Sequence, residues 1–277
     1  MEDKYIQDYS VSKKQFVLKY DADYDCYKTE FTDWEQLGSY YKSDNYISHT
    51  DGNRNWFEKI YQLVKKHTIK KKWRLLKTLH SKGLLKVLDV GCGTGEFLKY
   101  GKDYGQTVYG VEPDESARKL CAAKGIRVSA ALNQIDECGF DVITLWHVLE
   151  HVKDPHSYFE FFKEKLSSNG MLVIAVPNFR SYDAQYYKEY WAAWDVPRHL
   201  WHFSKTAMKT LGSKHGFNLM HIKPMYFDSF YVSLLSESYK TGKKNIIKAG
   251  WVGLWSNWNG NRTKEYSSHI YIFKKSF

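Results

Sequence analysis

Two acidic residues, with a glycine-rich turn between them, are the part of this sequence best suited to binding a small ligand. The stretch "VLDVGCGTGEFL" (87–98) passes from an apolar strand pattern through Asp89 into a turn with three glycines in five residues, and then into a helical pattern. Glu112 closes the next strand pattern, 17 residues after Gly95. A glycine-rich turn between a strand and a helix N-terminus directs backbone N–H groups and the helix dipole at a ligand. The spacing therefore predicts a ligand site at this strand end.

The chemistry of the turn separates two classes of nucleotide ligand. A dinucleotide fingerprint needs a third glycine at position 96, where this chain has Glu96, whose carboxylate would repel a pyrophosphate. Asp89 instead suits an ammonium group, and Glu112 can accept hydrogen bonds from both hydroxyls of a ribose. These preferences favour S-adenosylmethionine, which has an amino-acid tail, a ribose and an adenine but no phosphate.

Three motifs, in the correct order, resemble those of a known family. They are "VLDVGCGTGEFL" (87–98), "VYGVEPDESA" (108–117) and "FDVITLWHVLEHVKDP" (140–155). They are similar to the first, second and fourth motifs of class I S-adenosylmethionine-dependent methyltransferases. Within the third motif, "LEHVKDP" is similar to the branch that includes the ubiquinone-biosynthesis O-methyltransferases. The resemblance covers residues 84–178 closely and residues 195–220 loosely.

The resemblance implies a role for each matching residue. Asp89 and the glycine turn would hold the methionine part of S-adenosylmethionine, and Glu112 would hold the ribose. Pro113 and the pair Ala131 and Leu132 would flank the adenine. Trp146 and His147 would lie under the cofactor. The predicted cofactor-binding residues are Asp89, Gly91, Cys92, Gly93, Gly95, Glu112, Pro113, Ala131, Leu132, Trp146 and His147.

Histidines are the candidates for the proton acceptor in methyl transfer to an OH or NH group. The protein has to orient the two reactants and remove a proton, and histidine suits that task near neutral pH. His151 follows the fourth strand pattern, and His199 lies in a later loop. These two are the predicted catalytic residues, chosen from a set that also holds His147 and His202.

The loop that carries His199, "WDVPRHLWHF" (194–203), has two interpretations. It follows the fifth strand, where class I enzymes place elements that contact the substrate, and its clustered rings favour a site. Alternatively, Arg198 pairs with Asp195 and braces the loop. Six of the ten tryptophans lie beyond residue 190, which indicates either an aromatic core or a pocket for a flat or apolar substrate.

Alternating strand and helix patterns must position these residues. Strand patterns occur at 84–90, 107–112, 126–130, 140–146 and 171–177, with helical patterns between them. Strands at this spacing form a parallel sheet that is covered by helices on both faces, so the predicted fold class is α/β. The resemblance implies a Rossmann-like, doubly wound sheet of seven mostly parallel strands, in which the last strand, 269–274, runs antiparallel.

The sequence predicts an N-terminal extension, residues 1–80, and a class I methyltransferase domain, residues 81–277. The domain carries aromatic-rich substrate or lid insertions at 178–203 and 226–267. Relatives often begin with a Cys-rich zinc knuckle, of which only Cys26 remains here. The extension is therefore interpreted as a metal-free knuckle followed by a lid and helices.

Four side chains in the extension are candidates for a lid over the cofactor, although ordinary packing on the sheet edge explains them equally well. They are Tyr40, Tyr41, Tyr46 and His49. The four cysteines are scattered without a CxxC pair, so no metal site is predicted anywhere in the chain.

The net charge and the apolar pattern of the sequence indicate which kinds of partner the protein could bind. The formal net charge of +10 favours an anionic partner or a solvated basic surface. The basic stretch 65–77 suggests RNA, but no base-flipping motif follows the fourth strand and no RNA-binding module is recognisable. Residues 229–248 combine an apolar stripe with lysines, which is compatible with peripheral membrane contact or with a packed helix that has a solvated end.

The function predicted from these observations is methyl transfer from S-adenosylmethionine to a small-molecule acceptor, O-directed, such as a metabolite, glycan or lipid-like intermediate. The alternatives are an RNA methyltransferase and a cofactor-binding scaffold without turnover. The first residues lack the pattern of a signal peptide, and no apolar run reaches the ~20 residues that span a bilayer, so a cytoplasmic location is expected.

Overall fold

The computed structural model describes residues 1–41, 56–80 and 83–276, with side chains from residue 64 onward in the second range. In chain order the strands are β1 (Lys4–Gln7), β2 (Gln15–Asp21), β3 (Cys26–Thr29), β4 (Lys86–Val90), β5 (Thr107–Val111), β6 (Arg127–Ser129), β7 (Phe140–Trp146), β8 (Leu166–Pro177), β9 (Trp201–Phe203), β10 (Phe217–Pro224) and β11 (Ser268–Lys275). The helices are α1 (Trp56–Leu79), α2 (Glu96–Asp103), α3 (Glu115–Ala123), α4 (Pro155–Lys165), α5 (Tyr182–Tyr187), α6 (Lys205–Lys214), α7 (Asp228–Thr241) and α8 (Ile246–Thr263).

The main sheet has seven strands in the order β10-β11-β8-β7-β4-β5-β6. β4 lies between β5 and β7 and pairs with both in parallel. The sheet is mostly parallel with an antiparallel C-terminal strand, which confirms the predicted class I fold. The first six residues of β7 are all buried, as expected for a central strand that is covered on both faces.

Side-chain caps define the starts of α3 and α6. Asp114 precedes α3, and its carboxylate accepts a hydrogen bond of 2.7 Å from the Ala117 backbone N–H. Ser204 precedes α6, and its hydroxyl accepts a hydrogen bond of 3.0 Å from the Ala207 N–H. Each cap satisfies one of the N–H groups that the first turn of a helix leaves without a partner.

The N-terminal residues form strands that the sequence did not predict. β1, β2 and β3 form an antiparallel meander, and β3 pairs with β9 to complete a four-stranded sheet. β1 and β3 have only four residues each, and the seven residues of β2, QFVLKYD, do not alternate apolar with polar, so no strand pattern could be recognised. Cys26 is buried in β3, where burial raises the pKa of its thiol to about 12. The predicted boundary at residue 80 stays a prediction.

The four lid candidates have different outcomes. Tyr40 is buried with its ring edge against Phe16, at a centroid distance of 6.2 Å. The Tyr41 hydroxyl lies 3.1 Å from Nδ1 of His151. Tyr46 and His49 lie outside the described residues. The lid therefore stays a prediction.

The chain divides into two compact units. The N-terminal unit consists of Met1–Asn45, His147–Ser157 and Ile174–Phe273. The central unit consists of Tyr46–Trp146, Tyr158–Val173 and Lys274–Phe277. The insertion 226–267 belongs to the N-terminal unit and contains α7 and α8, which pack against each other. No helix in the described ranges has both the length and the apolar character needed to cross a membrane.

Candidate functional site

The glycine turn lies in the central unit, between β4 and α2. Gly91, Gly93 and Gly95 have φ angles of 70°, 54° and 78°, in the left-handed region that glycine adopts at no steric cost. A Cβ on Gly95 would lie 2.8 Å from Sγ of Cys121, so the turn packs tightly against α3. A Cβ on Gly93 would meet no described atom within 4 Å. The turn is therefore closed at Gly95 and has an open face at Gly93.

Asp89 is a buried carboxylate at the end of β4. Oγ1 of Thr144 donates a hydrogen bond of 2.6 Å to Oδ1 of Asp89. Burial raises the pKa of Asp89 to about 7, although the Thr144 hydrogen bond and the charge of Lys72 act in the opposite direction. A buried carboxylate with so little compensation is stabilised by a cation. The ammonium group of S-adenosylmethionine fits this requirement.

Glu112 follows β5 and braces the glycine turn. Its two carboxylate oxygens accept backbone hydrogen bonds, of 2.8 Å from the Gly93 N–H and of 3.0 Å from the Asp114 N–H. A carboxylate has about four lone-pair sites, so each oxygen keeps one for a ligand hydroxyl. This geometry fits the two hydroxyls of a ribose.

The other predicted cofactor residues of the central unit have mixed exposure. Pro113 and Ala131 are exposed and Leu132 is half-buried. The Trp146 ring lies 4.1 Å from Nζ of Lys72, and its buried Nε1 has no hydrogen-bond partner within the part of the chain described. Exposed apolar atoms at 131–132 and an indole N–H without a partner are compatible with contact to a ligand.

Cys92, inside the turn, is a buried free thiol. A hydrogen bond with the Cys121 thiol and burial both raise the pKa of Cys92. Because a thiol with a raised pKa keeps its proton, Cys92 has no nucleophilic role here.

A cluster of three side chains lies in the N-terminal unit, and we call Glu150, His151 and His199 the histidine cluster. One ligand atom from each of the three lies within 4.8 Å of the others. Nδ1 of His151 is 3.0 Å from the Arg198 carbonyl oxygen, and Nδ1 of His199 is 2.9 Å from the Ala193 carbonyl oxygen. Since the Ala193 carbonyl oxygen can only accept, His199 carries its proton on Nδ1 and its lone pair on Nε2, whereas Nδ1 of His151 also lies 3.1 Å from the Tyr41 hydroxyl.

Burial keeps the His199 ring of the histidine cluster neutral. The pKa of His199 lies well below its usual value because the ring is buried and faces His151. One oxygen of Glu150 is 3.2 Å from Nδ1 of His147, whereas its buried Oε2 has no hydrogen-bond partner among the described residues. The cluster therefore presents a neutral imidazole and a carboxylate oxygen that is free to accept.

The histidine cluster has the donor set of a metal centre. Imidazole nitrogens and a carboxylate oxygen are common ligands of zinc and other divalent metals, and metal-bound histidines usually donate Nδ1–H to a backbone carbonyl or carboxylate. The sequence predicted no metal, because Glu150 and His199 are 49 positions apart with no ligand spacing between them. That expectation stays a prediction.

His147 is a protonated, positively charged ring, so it is not available to accept a proton. Its φ angle is 59°, an uncommon conformation outside glycine. Nε2 of His147 is 2.9 Å from Oδ2 of Asp228. Burial lowers the pKa of His147, but the negative charges of Asp228 and Glu150 have the larger combined effect and raise the pKa to about 10. Asp228 lies at the start of α7, and no feature of the insertion pointed to it in the sequence.

In the loop between α5 and β9, Arg198 pairs with Asp195 and braces the loop, as the second interpretation of the sequence predicts. Arg198 donates from Nε to Oδ2 of Asp195 at 3.0 Å and from Nη2 to Oδ1 of Asp195. Its Nη1 also donates to the carbonyl oxygen of Tyr40. Burial lowers the pKa of His202 to about 3, and its Nε2 is 3.0 Å from Oγ1 of Thr29. Arg198 and His202 therefore hold the loop that carries His199.

Comparison with known proteins tests the resemblance. A family profile described as "Methyltransferase domain" matches residues 49–222. The ubiquinone biosynthesis O-methyltransferase of Actinobacillus pleuropneumoniae serotype 5b is 36% identical over 107 residues, which cover 34% of this chain and 46% of that protein. The protein of the same name from Bradyrhizobium diazoefficiens is 31% identical over 113 residues, which cover 38% of this chain and 45% of that protein. The chain thus spans about half the length of these relatives.

Solved structures show the same fold. A S-adenosylmethionine-dependent methyltransferase from Archaeoglobus fulgidus has a TM-score of 0.51 at 19% identity, covering 80% of this chain and all of that one. The 1,6-didemethyltoxoflavin-N1-methyltransferase of Burkholderia thailandensis, with bound 1,6-didemethyltoxoflavin and S-adenosylhomocysteine, has a TM-score of 0.54 at 15% identity and covers all of both chains. With the profile match, these likenesses confirm the family predicted from the three motifs.

Proposed function

Because the chain belongs to the S-adenosylmethionine-dependent methyltransferase family, we propose that it transfers a methyl group from this cofactor to a hydroxyl oxygen of a small-molecule acceptor. When bound, the cofactor supplies an electrophilic methyl group. The acceptor oxygen forms the new bond to carbon, the old carbon–sulfur bond breaks, and the hydroxyl proton has to leave.

The residues of the central unit provide the cofactor half of this proposal. Asp89 pairs with the ammonium group, and Glu112 accepts hydrogen bonds from the ribose hydroxyls. The open face of the turn at Gly93 lets the ligand approach the backbone closely. Pro113, the exposed Ala131 and the half-buried Leu132 flank the adenine. The roles of Trp146 and His147 under the cofactor stay predictions.

The observation that carries the choice of a hydroxyl is the neutral imidazole of His199 in the histidine cluster. A hydroxyl is a weak nucleophile until it loses its proton, whereas a neutral amine attacks through its own lone pair. His199 holds Nδ1–H on the Ala193 carbonyl oxygen and presents an Nε2 lone pair, and the His151 ring lies beside it at a centroid distance of 4.6 Å. Nε2 of His199, or the neighbouring His151, takes the proton as the bond to oxygen forms and then releases it to water. The curated relatives are O-methyltransferases by name, which supports the same choice.

The test uses the full chain and S-adenosylmethionine labelled in its methyl group. Acceptor probes are matched in shape: catechol, benzyl alcohol and phenylenediamine, with total RNA as a further arm. We expect label in methyl ethers and equal amounts of S-adenosylhomocysteine. Label only in the amine or only in RNA would contradict the proposal, and cofactor binding without any product would indicate a scaffold.

Adding a chelator distinguishes two roles of the histidine cluster, as a base and as a metal site. If the imidazoles act as bases, activity should not change when EDTA is added. If the cluster binds a divalent metal that holds the acceptor oxygen, EDTA should abolish activity and added Zn²⁺ or Mg²⁺ should restore it. Isothermal titration with S-adenosylhomocysteine, run beside both assays, shows whether the cofactor site remains intact.

A further inference from the structure

Helix α8 packs on its neighbours through small residues. The buried positions are Ala249, Val252, Gly253, Ser256 and Gly260. A Cβ on Gly253 would lie 2.6 Å from the Phe230 ring, and a Cβ on Gly260 would lie 2.6 Å from the Tyr266 ring. The Ser256 hydroxyl donates a hydrogen bond of 2.7 Å to the buried Asp183 carboxylate. This close fit fixes which face of α8 points outward.

The outward face of α8 carries the large apolar side chains, and we call these five residues the aromatic stripe. They are Ile247, Trp251, Leu254, Trp255 and Trp258, each between 39% and 88% exposed. Their spacing places them on one side of the helix. Trp251 stacks on Trp255 with centroids 5.6 Å apart, and Trp255 contacts the tilted ring of Trp258 with centroids 4.6 Å apart. A helix of a soluble domain normally buries such a face, so this contiguous apolar surface indicates a docking site.

Basic residues surround the aromatic stripe. Between positions 240 and 264 the chain has six of them and no aspartate or glutamate: Lys240, Lys243, Lys244, Lys248, Arg262 and Lys264. Lys248 contacts the buried Glu237, with an Nζ to Oε1 distance of 3.2 Å. The guanidinium carbon of Arg262 is 5.1 Å from the Trp258 ring. Positive charge therefore lies at both ends of an apolar strip that is about 16 Å long at 1.5 Å per residue.

The charges distinguish between the occupants that such a face could have. A second copy of this chain would bring the same positive charges against each other, which is unfavourable. An anionic lipid bilayer complements them, because lysine and arginine bind its headgroups and tryptophan prefers the boundary between headgroups and acyl chains. We propose that α8 lies flat on an anionic membrane surface, with the aromatic stripe inserted among the headgroups.

The proposed membrane contact lies on α8, whereas the sequence suggested a contact at residues 229–248. The segment 229–248 forms most of α7, which ends at Thr241, then a short connection and the start of α8. α7 buries Ser229, Ser233, Ser236 and Glu237, so it is a packed helix. The lysines at 243 and 244 lie in the connection, beside the first turn of α8 rather than at the end of one long helix.

The experiment is co-sedimentation of the full chain with vesicles. One set contains phosphatidylcholine alone, and the other contains about 30% phosphatidylglycerol. We expect binding to the anionic vesicles that is at least about tenfold stronger than to the neutral ones and that weakens as salt rises. Trp251→Ser with Trp255→Ser should lower this binding at least about tenfold, and so should Lys243→Glu with Lys244→Glu.

Matched controls keep the result specific. Trp34→Ser removes another exposed tryptophan, and Lys209→Glu reverses another exposed lysine. Both should bind anionic vesicles as the unchanged protein does, and the α8 variants should keep its melting temperature because their side chains are exposed. Binding that survives both α8 double variants would overturn the proposal. Light scattering that shows a dimer in the unchanged protein and a monomer in the tryptophan variant, without vesicle binding, would also overturn it and assign the stripe to contact between copies.

Discussion

The glycine turn and the histidine cluster are built in opposite ways. The turn takes almost all of its parts from one continuous stretch, β4 to α3, and Glu112 bonds to Gly93 only 19 positions away. The histidine cluster takes its parts from the turn after β7 and from the loop before β9. Local backbone geometry shapes the first, and packing between distant segments shapes the second.

The two regions also differ in how they control charge. Asp89 in the central unit has a pKa raised to about 7, so a cation can bring it to its charged form. His199 in the N-terminal unit has a depressed pKa, so it stays neutral throughout the physiological range. From this comparison we expect the turn to bind the cofactor and the cluster to accept the proton of the acceptor hydroxyl. Variants in the turn should therefore change affinity for the cofactor, whereas variants in the cluster should change turnover.

Removing the lone pair of His199 should give the largest effect. In His199→Asn the amide N–H can still donate to the Ala193 carbonyl oxygen, but the Nε2 acceptor is lost. We expect kcat to fall by about 10²–10⁴-fold, the usual contribution of general acid–base catalysis. The Kd for S-adenosylhomocysteine should stay within about twofold, as for an interaction made only in turnover. Kinetics at saturating cofactor, together with calorimetry, measure both.

The control for this variant is His221→Asn, at an exposed position of β10. It should leave kcat unchanged. If His199→Asn has full activity, His199 is not the proton acceptor. His151→Asn then becomes the remaining test of the cluster, and full activity in both variants would break the comparison.

Removing the Glu112 carboxylate should give the next largest effect, on binding. Glu112→Ala removes two backbone hydrogen bonds of the turn and the two ribose contacts that we propose. Hydrogen bonds to a charged group contribute about 1.5 kcal/mol or more each, so we expect the Kd for S-adenosylhomocysteine to rise about 100-fold. Titration calorimetry measures it. Glu115→Gln, whose carboxylate forms an exposed ion pair with Lys119, is the matched control and should bind normally.

Most of the fold and the cofactor turn could be predicted from the sequence, because their causes are local. Strand and helix periodicity and the glycine turn act over a few residues, and each was recognised. β1 to β3 were missed because they gain their stability by pairing with each other and with β9, which no local pattern reveals. Asp228 was missed because only the packing of α7 brings it to His147.

Two glycines of the same turn should respond differently to alanine. Gly95→Ala places a Cβ against the Cys121 thiol at a φ of 78°, and we expect it to lower the free energy of unfolding by about 2 kcal/mol. Gly93→Ala has only the cost of a positive φ, about 1 kcal/mol, but its methyl group would enter the open face. Urea unfolding and cofactor titration on both variants separate stability from binding. Equal effects of the two variants on both quantities would contradict the assignment of the open face to the cofactor.

The pH dependence of cofactor affinity, about tenfold for each pH unit, tests Asp89 without changing the fold. Since the pKa of Asp89 is raised to about 7, the carboxyl group is protonated below that pH and cannot pair with an ammonium group. Below pH 7, binding of the ligand therefore has to release the proton of the Asp89 carboxyl group. Affinity for S-adenosylhomocysteine should therefore be highest above pH 7 and fall by about tenfold per unit as the pH drops from 7 to 5.

Calorimetry in two buffers of different ionisation enthalpy reads this proton release directly. Near pH 6 the unchanged protein should release close to one proton for each ligand bound, and near pH 8 almost none. Asp89→Asn should bind weakly at every pH and release no proton, because its amide does not titrate. A flat affinity profile in the unchanged protein would mean that Asp89 does not carry the charge of the turn. The contrast with the neutral His199 would then have to rest on geometry alone.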